Sequence, residues 1–60
     1  MEEKQILLHN IATLKMVHAN LQSFVLEISN EDTSTEYHEA IMTIETTIQR
    51  TEQILKEMKG

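Results

Sequence analysis

The sixty-residue chain contains no cysteine, no proline, no tryptophan and a single glycine, Gly60. Each absence excludes something. Without cysteine there is neither a disulfide nor a thiolate ligand for a metal, so two common staples of small domains are missing. Without interior glycine or proline, the tight turns of a small β-protein lack residues that supply a positive or pre-set φ. One terminal glycine cannot form a glycine-rich phosphate cradle. Basic residues are scarce as well: five cations (Lys4, Lys15, Arg50, Lys56, Lys59) stand against ten acidic residues, for a net charge of −5. A nucleic-acid binder draws most of its affinity from phosphate neutralisation by a basic footprint, so no nucleic-acid partner is expected. No uninterrupted apolar run is longer than three residues, as in Ile6-Leu7-Leu8, far short of the ~18 of a membrane span. The opening Met1-Glu2-Glu3-Lys4 lacks the basic start of a secretory signal. The composition therefore predicts one soluble, cytoplasmic domain.

What the chain does have is helical periodicity. Leu7, Ile11, Leu14, His18, Leu21, Val25 and Ile28 recur at alternating spacings of four and three, and so do Tyr37, Ile41, Ile44, Ile48, Thr51, Leu55 and Met58. Residues three and four apart share a helix face, so each stretch carries an apolar seam with one polar interruption. Val17 and Phe24 widen the first seam towards the broad stripe of a helix in a globular bundle. Continuing the first register past Ile28 places mostly polar residues in the seam, which argues against one continuous rod. Between the seams, Ser29 to Thr35 is a run of weak helix formers whose side chains compete for backbone hydrogen bonds. Asn30 can adopt the left-handed conformation that closes a helix. Thr33-Ser34-Thr35-Glu36 has the capping-box pattern that opens one. The expected fold is all-α: helix one over about 3–29, a loop over about 30–33, and helix two over about 34–59. A loop this short makes the helices antiparallel neighbours.

Folded back, the seams pair Leu7 with Met58, Leu14 with Thr51, His18 with Ile48 and Ile28 with Tyr37. Two helices alone cannot enclose such seams, and Val17, Phe24, Ile54, Met16, Met42 and Leu26 stay partly wet. A second hairpin would cover them, giving a homodimeric four-helix bundle. Covering ~600 Å² of apolar surface offers about 15 kcal/mol gross at ~25 cal/mol/Å², against an association cost of ~4 to more than ~15 kcal/mol.

No catalytic constellation is legible. The serines lack a nearby histidine–carboxylate pair. The residues three before His9, His18 and His38 are Ile6, Lys15 and Thr35, so the Glu-x-x-His step of a di-metal bundle is missing. No two histidines are four apart, which removes the helical zinc pair. Neither an enzyme nor a cofactor is expected. His18, in a seam of apolar residues, reads either as a pH switch or, preferably, as a register-fixing residue that hydrogen-bonds Thr47 or Thr51. Glu27, Glu31, Asp32, Glu36 and Glu39 form a solvated acidic tip that suits the positive end of helix two. His9 and His38 read as surface residues, and the methionines as bundle filler.

Ile11-Ala12-Thr13-Leu14-Lys15, followed by Ala19-Asn20-Leu21-Gln22-Ser23-Phe24 and by Tyr37 with Glu39-Ala40, resembles a family of small domain-of-unknown-function helical proteins from endospore-forming bacteria. These are often encoded beside spore-membrane permeability components. The similarity spans about residues 11–55, although isoleucines and threonines stand in helix two where family members are richer in alanine and glutamine. The resemblance implies a helical, non-catalytic protein with a sporulation setting, and it carries no catalytic residue onto this chain. The leading functional reading is a protein–protein interaction or assembly role through a homodimer. The alternatives are a small regulator docking on a larger enzyme and an RNA-binding dimeric hairpin.

Overall fold

The computed structural model describes residues 2–58. Its two helices, α1 (Glu3–Val25) and α2 (Glu31–Glu57), pack against each other along their length. Contacts joining them pair Lys15 with Glu52, His18 with Glu45, and Phe24 with Tyr37. Numbers rise along α1 as they fall along α2, which makes the pair antiparallel.

The helix ends differ from expectation for local reasons. α1 stops at Val25, four residues earlier than the periodicity suggests. Its last turn tightens into bonds from the Glu27 amide to the Phe24 carbonyl (3.0 Å) and from Ile28 to Val25 (3.3 Å), the usual way a helix without a C-terminal glycine satisfies its last carbonyls. Ile28 therefore lies in the loop rather than on the helix. Asn30 does not close α1 in a left-handed conformation. It is extended (φ −79°, ψ 122°) and caps α2, its side-chain oxygen accepting the Thr33 amide at 3.0 Å. Asparagine is among the best N-caps, and starting here puts Glu31 and Asp32 in the first turn, where the helix dipole favours negative charge. That arrangement prevails over the capping box three residues later. α2 runs to Glu57; the expected end at residue 59 lies outside the described residues.

Burial follows the seams. Ile11, Ile41 and Ile48 are buried. Leu7, Leu14, His18, Leu21, Val25 and Ile28, with Tyr37, Ile44, Thr51, Leu55 and Met58, are half-buried. Tyr37, expected opposite Ile28, has its ring centroid 5.2 Å from that of Phe24, one turn nearer the middle of the molecule. Side chains lean towards the N-terminus of their own helix, so antiparallel seams interleave instead of meeting head-on. The result is long and thin, 47 × 16 × 12 Å with a radius of gyration of 14.2 Å; a compact chain of this length would give about 10 Å.

Candidate interaction surface

A two-helix hairpin has two broad faces, one on either side of the seam, and here they differ in chemistry. On the first, Lys15 and Gln22 of α1 oppose His38, Glu45 and Glu52 of α2. The Lys15 ammonium lies 3.3 Å from the Glu52 carboxylate, and the His18 ring reaches out of the seam to Glu45, Nε2 to Oε2 2.9 Å. A carboxylate can only accept, so Nε2 carries the donated proton. Leu8 and Leu26 stand at the two ends of this face, and Leu26 is the most exposed large apolar residue at 86%.

On the second face stand Ile6, Asn10, Val17 and Phe24 from α1, with Ala40, Thr47 and Ile54 from α2. None is charged. Ile6 and Ile54 border one shallow groove with Glu3 and Leu7, which places the ends of the two stripes on the same side. Val17 is 40% exposed, Ile6 42%, Phe24 50% and Ile54 53%; Val17, Phe24 and Ile54 were expected beside the seam. The Phe24 ring is held by Tyr37 at an interplanar angle of 40°, so it projects from the face in a defined position.

Polar groups within and beside the seam are satisfied locally. His18 was expected to bond Thr47 or Thr51, but its ring turns to Glu45 instead. Thr51 donates to the Thr47 carbonyl at 2.8 Å and Thr47 to that of Thr43 at 2.9 Å, the back-bond to residue i−4 that a threonine makes within a helix. Thr13, Thr35, Thr43 and Thr46 make the same bond, and His38 Nδ1 lies 2.9 Å from the Ser34 carbonyl oxygen. The pH-switch reading rested on burial of the ring in the core, and the structure leaves the ring partly exposed. The side chain is 20% exposed and pairs with a carboxylate.

His9 and His38 are exposed, as are Glu27, Glu31, Asp32, Glu36 and Glu39 at the tip, while Met16 and Met42 point outward and Met58 is half-buried. Among the described residues, no three His, Asp or Glu side chains are grouped so as to hold a metal ion. No helix among them is long and apolar enough to cross a membrane.

Two members of these faces escape a reading by periodicity alone. Ile6 belongs to the second face through the stripe 6, 10, 13, 17, 20, 24, but Asn10, Thr13 and Asn20 break its apolar signal. Glu45 is one acidic residue among ten, and only the antiparallel register singles it out. No protein-family model, no curated protein and no solved structure matches the chain.

Proposed function

We propose that the chain is a non-catalytic assembly module that acts through protein–protein contact, its hairpins associating in pairs as a four-helix bundle. One observation carries the reading: among the described residues only three hydrophobic side chains are buried, and Val17, Phe24 and Ile54 beside the seam are left in solvent. The surface arithmetic supports it. The chain exposes 4946 Å², whereas a folded monomer of its 7.0 kDa exposes about 4,000 Å². The resemblance to helical proteins of endospore formers supplies a setting, sporulation, in which such a module would operate.

Sedimentation equilibrium across a micromolar-to-millimolar series tests this. The expected result is a monomer–dimer equilibrium approaching twice 7.0 kDa. A single species of monomer mass at every concentration would refute the self-assembly.

A further inference from the structure

We infer that the loop end of the charged face is a docking groove for a cationic helix of another protein. An aliphatic anchor of that helix seats over Val25 and Ile41, between Leu26 and His38, and its lysines or arginines meet the carboxylates around the loop. The site lies on the opposite broad face from Val17, Phe24 and Ile54, so it goes beyond the assembly reading and is separable from it.

Gln22, Val25 and Leu26 line the groove from the α1 side, His38 and Ile41 from α2. Ile41 is buried and Val25 half-buried, so the floor is apolar. Leu26 is the most exposed large apolar side chain among the described residues, and Met42, next to Ile41, is largely exposed as well. The histidine in the wall suits a hydrogen-bond donor. His38 Nδ1 lies 2.9 Å from the Ser34 carbonyl oxygen, which can only accept, so Nδ1 carries the proton and Nε2 of the neutral ring is left as an acceptor.

Charge selects the occupant. From Met16 to Gln49 the chain has six carboxylates, Glu27, Glu31, Asp32, Glu36, Glu39 and Glu45, and no lysine or arginine. Lys15, the cation nearest the loop on α1, is engaged by Glu52 at 3.3 Å. Glu31 and Asp32 suit the positive end of α2. Glu27 has no such support: it follows Val25 by two residues, at the negative end of α1, and no basic residue stands in the last turn of that helix. A cation from outside relieves the carboxylate and the dipole together. A second copy supplies it poorly, because the rest of the chain holds five cations against four carboxylates. An anionic lipid surface or a nucleic acid is repelled by the same carboxylates. That leaves a basic protein segment. A groove running between two helices takes such a segment as an amphipathic helix, with anchors at i, i+3, i+4 and i+7.

The test titrates the isotope-labelled full chain, followed by amide NMR, with three short helical peptides. One has leucines at i, i+3, i+4 and i+7 and lysines between them; the second keeps the leucines and replaces lysine by glutamate; the third keeps the lysines and replaces leucine by alanine. The leucine–lysine peptide should shift the amides of Val25, Leu26, His38 and Ile41 and bind at least ~tenfold tighter than either control, the factor that burying one leucine supplies. Leu26→Ser should weaken it ~tenfold or more, with helicity by circular dichroism unchanged because that side chain is exposed. Glu27→Gln combined with Glu39→Gln should weaken it about threefold or more, whereas Glu57→Gln, at the far end of the hairpin, should leave it within about twofold. No binding of the leucine–lysine peptide, or equal binding of either control, would overturn the inference. So would equal losses from Glu57→Gln and from the loop pair, since charge would then act without place. Shifts at Leu26 and Ile41 produced by concentrating the chain alone would give the groove to a second copy and overturn it too. A chain that binds the peptide as expected yet stays monomeric supports the groove and refutes only the assembly reading.

Discussion

Replacing His18 by leucine should stabilise the protein. The ring occupies a seam position, its side chain 20% exposed, and its one polar contact is the Glu45 carboxylate at 2.9 Å. Glu45 is itself 49% exposed, so water takes over its solvation once the ring is gone and no buried charge is stranded. The interaction lost is that of a partly exposed pair, worth about 0–1 kcal/mol. Leucine at the same place buries an apolar side chain beside Leu14 and Leu21, and burying a leucine relative to exposing it contributes ~1.5–3 kcal/mol. Part of that is offset because the imidazole already buries apolar surface. The net expectation is a gain of about 1 kcal/mol, a rise in Tm of roughly 4–8 °C for a domain of this size. Urea and thermal unfolding followed by circular dichroism read it directly. Protein concentration must be held fixed between variants, since self-association makes Tm concentration-dependent. A loss of 1 kcal/mol or more would refute the reasoning, because it would mean that the His18–Glu45 pair holds the helices together more strongly than the apolar seam does.

Other variants test other parts of the account. Ile48→Ala, which truncates one of three buried side chains, should cost ~2–3 kcal/mol by urea denaturation, at the lower end for such deletions because so thin a structure can collapse around the gap. Met16→Ala, at a position 67% exposed, should change stability by no more than ~0.5 kcal/mol. Asn30→Ala should lower stability by ~1 kcal/mol through loss of the bond to the Thr33 amide, whereas Thr33→Ala should cost less; a larger effect at Thr33 would restore the later capping box as the start of α2. Added sodium chloride should strengthen dimerisation measured by light scattering, since screening relieves repulsion between two chains of −5, and weakening by salt would place ion pairs across the interface.

The seams were legible because each is a rigid 4-3 repeat over at least five turns, and no feature of the composition competes with it. Every seam residue from Leu7 to Val25 and from Tyr37 to Met58 is buried or half-buried. The helix ends were not legible to the same degree, because several residues between Ile28 and Glu36 can cap or terminate a helix. Asn30 fits both roles, and the sequence does not say which energy is larger. His18 illustrates a second limit. Threonine hydroxyls opposite a seam histidine look like partners, but the ring bonds the charged residue beside the seam, Glu45, and only the antiparallel register brings that carboxylate within reach. The difference between the broad faces lies between these cases. Val17, Phe24 and Ile54 stand out in the sequence, but that they share one face, with Lys15, Glu45 and Glu52 all on the other, follows only from the antiparallel packing.

An isotope-filtered NOE experiment on an equal mixture of labelled and unlabelled chains, at a concentration where the dimer dominates, tests the central claim most directly. The account predicts intermolecular cross-peaks from the Phe24 ring protons and from the Val17 and Ile54 methyls, alongside intramolecular cross-peaks between the Phe24 and Tyr37 rings. Intermolecular cross-peaks confined to the Lys15–Glu52 face, or none from Phe24, would contradict it.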